Sequence, residues 1–359
     1  MNEQNEATNE GENEGSSPVN GKNDGTVLVG LDEGYREMKV AFRKNGVIVG
    51  MKCASSVRVG ALGLSSPDSH SASYSTKVDG NSVTFTVGEF HDAIETRFPD
   101  FPVSPVTRVL ANHVLILSGF GGRQVSLGTG LPPGEAYLPT GEKNLPLIDR
   151  KKANLSIPVV SKNGAPVPVV VKSEVYVQGI GALVDFLASE RQTAINAPVG
   201  VVDVGGKTVD VAVIVPGDSG MSVDMRRSGS ESIGVLDAME TLANLLRSRF
   251  NLSEKIPAAI LEKSLTTGSV RIFGSTHDIA DLVTEAKNEI MERLHPFITA
   301  KLGRGQSLDK ILYTGGGSLL LPTLMEQYPH VVLSPDPQFA NARGFLLYLE
   351  MMMEKGTSR

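Results

Sequence analysis

The chain has 359 residues, one cysteine and a formal net charge of −6, from 34 Lys and Arg against 40 Asp and Glu. That length allows two domains, or one large domain with an insertion, and a substantial core. Scattered cations on an acidic chain exclude a domain-wide basic field for direct nucleic-acid binding, and the lone Cys53 excludes an intrachain disulfide and favours a reducing cytoplasm.

No apolar run reaches the roughly 18 residues of a membrane span, and the polar N-terminus has no signal-peptide pattern, so no membrane is expected and the protein reads as soluble. Nothing near Cys53 in sequence would lower its pKa, so it reads as a small apolar residue. The six histidines are dispersed and form no metal-ligand pair at helical spacing.

Residues 1–24 are Asn, Glu, Gly and Ser with Val19 as the one aliphatic side chain, and they predict a disordered acidic tail. From Thr26 short β-type runs follow, and Asn45-Gly46 between two apolar runs predicts a hairpin. Residues 63–76, rich in serine and without a Gly-x-Ser-x-Gly elbow, read as a mobile surface loop. Residues 100–120 predict a helix followed by a strand, and 128–144 a long loop. Residues 150–189 predict two strands and a helix starting near Val177.

Further on, Ile233, Leu236, Met239, Leu242 and Leu246 recur at helical spacing behind a Ser/Glu start. Ile279, Leu282, Val283, Ala286, Ile290, Leu294 and Ile298 stripe a long helix expected over about Thr276 to Leu302. Residues 309–328 read as strand, glycine turn and helix, and a last helix closes the chain. Strands that alternate with helices after an antiparallel start give an α/β class with mixed sheets.

The Gly-Gly-Lys-Thr of "VVDVGGKTVDVAVIV" (residues 201–215) resembles the end of a P-loop, but the required earlier glycine is Val201 and a β-branched strand follows instead of a helix. It is a strand, glycine turn and strand. The chain contains this unit twice: with "GLDEGYREMKVA" (30–41) set over "VVDVGGKTVDVA" (201–212), Asp32 falls on Asp203, Gly34 on Gly205, Val40 on Val211 and Ala41 on Ala212. Two such hairpins facing each other would offer backbone amides to one polyphosphate, with Asp32 and Asp203 holding a hydrated Mg²⁺ and Lys39 as a point charge. Gly315, Gly316 and Gly317, with a helix expected from Ser318, would allow close approach to a base or an α-phosphate.

Together these segments resemble the superfamily of actin, heat-shock chaperones and sugar kinases. "RKKAN" before a strand hairpin, "VVDVGGKTVDVAVI", "SGSESIGVLDAM", "LVTEAKNEIMERL" and "ILYTGGGSLLL" narrow the resemblance to the ParM/StbA branch of bacterial actin-like proteins, from about Val27 to Tyr348. The resemblance implies an actin-like (ribonuclease H-like) two-domain fold, with a nucleotide cleft between mixed five-stranded sheets flanked by helices. The expected division is domain I at 25–188 and 337–359, and domain II at 189–336.

The resemblance further implies a cytoplasmic, Mg-dependent ATPase or GTPase that assembles with itself into filaments and segregates plasmid DNA through a DNA-bound adaptor protein. It assigns Asp32, Gly34, Tyr35 and Lys39 to the first phosphate loop, and Asp203, Gly205, Gly206, Lys207, Thr208 and Asp210 to the second. Gly315, Gly316, Gly317 and Ser318 fall on the base and ribose side. For the residue that orients the attacking water it offers Glu174 first and Gln178, one helical turn later, second. Tyr35, Arg36 and Lys207 depart from the family's small loop residues. The alternative function is a small-molecule kinase of the sugar or acetate type on the same fold.

Overall fold

A computed structural model of the chain describes residues 25–61, 71–88, 90, 93–217 and 220–357. The tail expected over 1–24, and the part of the serine-rich stretch at 62–70, lie outside the described residues.

The opening meander is β1 (Val27–Glu33), β2 (Glu37–Lys44) and β3 (Val47–Ala54). Asn45 and Gly46 join β2 to β3 with φ of 52° and 78°, the two positive angles that fit a tight turn to the strands' twist. β4 (Val57–Val59), β5 (Ala72–Val78) and β6 (Asn81–Val87) follow. The mobile loop expected up to residue 76 is thus a strand from Ala72, because Tyr74, Ser75 and Thr76 are all buried between β6 and β8 and that burial outweighs the serine content.

α1 (Pro105–Leu117) begins where Ser104 Oγ accepts from Thr107 N. It is buried from Val106 to Leu115, all round, so its apolar end carries no helical period and had suggested a strand. The strand comes later, as β7 (Gln124–Leu131), and with α2 (Pro133–Ala136) it occupies much of the stretch expected as a long loop. α3 (Leu145–Ser156), β8 (Val159–Ser161), β9 (Val169–Val177) and α4 (Ile180–Ser189) complete the first half. α4 starts three residues later than expected because β9 continues to Val177 and Gly179, at φ 82°, makes the turn.

The second half opens with β10 (Val199–Val204), β11 (Val209–Gly217), β12 (Gly220–Val223) and β13 (Gly229–Glu231). Next come α5 (Val235–Phe250), α6 (Ala258–Thr267), a small hairpin of β14 (Ser269–Ile272) and β15 (Ser275–Asp278), and α7 (Ala280–Leu302). The predicted α7 stripe is buried throughout, from Ile279 to Ile298. β16 (Lys310–Thr314), β17 (Val331–Leu333) and α8 (Ala340–Thr357) close the chain. Among the described residues no helix is long and apolar enough to cross a membrane.

The two large sheets have one topology. In the first the order is β3-β2-β1-β7-β9, and in the second β12-β11-β10-β16-β17, with β13 also paired to β11. Each is antiparallel over its opening hairpins and parallel from its first strand onward. A third, antiparallel sheet, β4-β6-β5-β8, extends the first half.

α1 packs on one side of the first sheet and α8 on the other; α4 covers one side of the second sheet, and α5 and α7 the other. α4 and α8 therefore cross between the sheets. They cross very closely: a Cβ on Gly344 would lie 1.8 Å from Gly181 O, so only glycine fits there. Arg343 fixes the crossing with a forked pair to Asp185, Nε to Oδ1 at 2.7 Å and Nη2 to Oδ2 at 2.6 Å. Phe186 and Leu187 of α4 bury against β10 and β11, whereas Leu346 of α8 buries against Ala41 of the first sheet.

Candidate functional site

Each sheet presents its first hairpin to the gap where α4 and α8 meet. The hairpins close identically: Gly34 N donates to Glu37 O at 3.1 Å, and Gly205 N donates to Thr208 O at 2.8 Å. In the ladders Asp32 stands opposite Lys39 and Asp203 opposite Asp210, so the match in sequence is also a match in register. The first amides of α5 steady the second tip, Val235 N on Gly205 O at 3.1 Å and Leu236 N on Gly206 O at 2.8 Å.

Both hairpins line one cleft, together with Gln178 before α4, the glycine turn after β16 and Asn341 of α8. Asp32 receives Gln178 Nε2 at 3.1 Å on Oδ1 and has Lys39 Nζ at 3.9 Å from Oδ2. Asp203 receives Asn341 Nδ2 on Oδ2. Burial first, and then the Asp32 charge, push Asp203 up to about 6, opposed by the Asn341 hydrogen bond and Lys39.

Asp210 is buried beside Asp203. Burial first, and then the Asp203 charge, push it up to about 7, opposed by the hydroxyls of Ser230 and Thr208. Thr208 Oγ1 donates to Asp210 Oδ2 at 3.0 Å, while Asp210 Oδ1 is buried with no hydrogen-bond partner.

The glycine turn fits against the second hairpin. Gly315 has φ 81°, and a Cβ there would meet Asp203 Oδ1 at 2.2 Å. The helix expected from Ser318 is instead a single 3-10 turn, Gly316–Leu319, so the segment offers close backbone approach and no helix dipole.

Of the residues expected at the site, Asp32, Gly34, Tyr35, Lys39, Gln178, Asp203, Gly205, Gly206, Thr208, Asp210 and Gly315 to Gly317 line the cleft. Glu174, the first choice for orienting water, does not. It lies on β9 and not at a helix start, and its carboxylate is held by Lys152 at 2.8 Å and Lys172 at 3.1 Å. Burial raises it, but the hydrogen bonds and charges of the two lysines outweigh that and hold it below the usual carboxylate value. Of the two, Gln178 is the one that lines the cleft. Ser318 turns its hydroxyl back to Gly315 O at 2.7 Å, outside the lining, and Lys207 rests its ammonium 4.5 Å from the centre of the Tyr35 ring.

Sequence reasoning missed a buried pair at the cleft floor. Glu33 and Lys151 are 2 % and 1 % exposed and form an ion pair at 2.9 Å, with Thr129 Oγ1 donating to the other carboxylate oxygen. Burial raises Glu33, against the pull of Lys151. The motif "RKKAN" contains this lysine, yet nothing local distinguishes it from its neighbours Arg150 and Lys152, which meet Asp100 and Glu174.

These groups fit a polyphosphate with a divalent ion. Among the described residues Asp203 and Asp210 have no ion-pair partner and Asp210 Oδ1 has no hydrogen-bond partner, while the glycines of the two hairpin tips and of the glycine turn leave backbone open to a ligand. Among the described residues no set of three or more His, Cys, Asp or Glu stands ready to hold a metal, so an ion here would keep mostly water and phosphate oxygens.

A family model for the N-terminal part of the plasmid segregation protein ParM matches residues 27–188, and one for the C-terminal part of the archaeal actin homologue MreB-like matches 201–327. Among solved structures, the archaeal actin homologue Ta0583 is 23 % identical with a TM-score of 0.73, over 91 % of this chain and 100 % of that one. Its complex with ADP gives 22 % and 0.70 over the same shares. A 15-stranded ParM filament from Clostridium botulinum is 19 % identical with a TM-score of 0.69, over 91 % of this chain and 99 % of that one. Bacillus thuringiensis ParM with AMPPNP is 14 % identical with a TM-score of 0.64, over 92 % and 99 %. No curated protein matches the chain by sequence. The chain is thus similar to ParM over its first half and to archaeal MreB-like actin homologues over its second, and its fold is actin-like.

Proposed function

We propose that this chain is a cytoplasmic, filament-forming actin-like NTPase that binds ATP or GTP with Mg²⁺, hydrolyses it, and moves plasmid DNA through a DNA-bound adaptor. The observation that carries the proposal is the convergence of two equivalent hairpins, with Asp32 and Asp203, on one cleft. Solved relatives hold ADP or AMPPNP, and one is a ParM filament, which supports a nucleotide in this cleft and self-assembly of this chain.

Asp32 and Asp203 would hold Mg²⁺ through its waters, and the ion would supply charge neutralisation to the phosphates. Lys39 steadies Asp32 and adds a cation beside the first loop. Gln178 is the group that can orient water. Its amide reaches Asp32 at one end, and Gly179, whose N–H donates to Asn341 Oδ1 at 3.1 Å, ties its backbone to α8. A neutral amide positions water without taking its proton, which suits phosphoryl transfer, where placement and electrostatics dominate.

With ATP or GTP and Mg²⁺, the purified chain should scatter light and pellet at micromolar concentration, and Asp203→Ala should abolish phosphate release. A wild-type chain that binds nucleotide yet stays monomeric and phosphorylates an added small molecule would overturn the filament reading.

A further inference from the structure

Arg36 sits at the tip of the first hairpin, between Tyr35 and Glu37, and it departs from the small residues of similar loops. Its side chain is 15 % exposed and turns into the cleft. Nη2 lies 3.3 Å from Glu37 Oε2 and 3.4 Å from Glu262 Oε1, the latter on α6 of the opposite half. A Cβ on Gly316 would be 3.6 Å from the same nitrogen, and one on Gly206 would be 3.0 Å from Arg36 Cβ. The guanidinium therefore lies at the meeting point of both hairpins and the glycine turn.

Two features mark this contact set as incomplete. Nη1 is buried and has no hydrogen-bond partner, a costly state for a guanidinium donor. Its carboxylate partners are also poor ones. Glu37 is already engaged by Lys52 at 2.7 Å and lies 4.0 Å from Lys39, while Glu262 is 42 % exposed and meets Arg36 across the cleft at a long distance. A planar fork with a free arm matches a phosphate group far better than it matches one partly solvated carboxylate.

We infer that Arg36 is a phosphate-binding residue of this cleft, which exchanges Glu262 for the phosphate chain of a nucleoside di- or triphosphate. The inference rests on the proposed nucleotide cleft. The cleft wall carries Asp32, Glu33, Glu37, Asp203 and Asp210, so a polyanion entering it needs every available cation, and Arg36 brings a buried donor nitrogen, Nη1, that has no partner. The exchange also has a mechanical consequence. The Arg36–Glu262 pair links the first hairpin directly to α6, and phosphate capture replaces that link with one from the hairpin to the ligand, freeing α6 to shift when the nucleotide arrives or leaves.

The test measures binding of ATP, GTP and the two free nucleosides by titration calorimetry to the full chain and to Arg36→Ala, Arg36→Lys and Glu262→Gln. Expected for Arg36→Ala is a loss of triphosphate affinity of roughly tenfold or more with nucleoside affinity unchanged, and for Arg36→Lys an intermediate loss, since a point charge replaces the fork. Glu262→Gln, which removes the competitor, should tighten triphosphate binding about threefold or more. If Arg36→Ala fails to fold, the lysine and glutamine variants decide. Unchanged or tighter triphosphate binding in both arginine variants, or weaker binding in Glu262→Gln, overturns the inference while leaving the nucleotide cleft intact. A wild-type chain that binds no nucleotide overturns the cleft itself.

Discussion

Asp210→Asn should stabilise the ligand-free chain at neutral and alkaline pH. The Asp210 carboxyl is raised from an ordinary 3.8 to about 7, a shift of about three units, and each unit is worth about 1.4 kcal/mol. The folded pKa lies above the unfolded one, so between about pH 4 and 7 the folded chain binds a proton that the unfolded chain has released. Stability linked to this group is full below about pH 4, falls as pH rises, and is lost above about pH 7, by roughly 4 kcal/mol. Asparagine keeps the shape, still accepts from Thr208, and never charges.

Urea unfolding followed from pH 4 to 8.5 in EDTA should thus give nearly equal stabilities for the two proteins at pH 4. At pH 8 the variant should be more stable, by about 2 to 4 kcal/mol. Parallel pH profiles for wild type and variant would refute the reasoning, since they would mean that Asp210 is ionised at no cost in the folded cleft.

Other substitutions separate the roles of the cleft residues. Gln178→Ala should slow phosphate release roughly a hundredfold with little change in nucleotide affinity, whereas Glu174→Ala, outside the cleft, should leave the rate within about twofold, as read by a phosphate-release assay. Gly344→Ala would place a methyl group 1.8 Å from Gly181 O and should destabilise the α4–α8 crossing by about 3 kcal/mol or more, visible as a lower Tm. Binding of the Mg²⁺–nucleotide at pH 7 should release protons, about half of one from Asp210 alone, measured as a dependence of calorimetric enthalpy on the buffer's ionisation heat; no such dependence would mean that the ion does not reach Asp203 and Asp210.

The site was legible in the sequence where its chemistry is local. Aspartate, glycine and alternating β-branched residues recur in both hairpins because each hairpin needs the same turn and ladder, and the register reproduces the match. Contacts made across the fold left no local trace. Asn341 reaches Asp203 from a helix 138 residues further on, and Lys151 is singled out among three basic neighbours only by what α3 packs against. Glu174 ranked before Gln178 because a carboxylate at the start of the connecting helix can polarise water. The strand's extension to Val177 placed it three residues too early, against solvent and two lysines. The strand expected before Phe120 failed for a related reason: a helix buried on every side looks like any apolar run.

The two hairpins are equivalent in backbone and unequal in charge, and the inequality suits the proposed ligand. At matched ladder positions the first hairpin pairs Asp32 with Lys39, and the second pairs Asp203 with Asp210. The first half therefore carries its own counter-charge. The second brings two buried carboxylates together, and the chain supplies only amide and hydroxyl donors to them. Such a pair can be satisfied in two ways, by a proton or by an external cation, and near neutral pH the proton is being lost. A divalent ion carried in with a polyphosphate would meet that need, while its phosphates would meet the unfilled donor on the first hairpin's side. Each half of the cleft would then hold what one part of the proposed ligand requires. Replacing Asp210 with a lysine, to mirror Lys39, would remove the need and with it the reason for the ion to bind.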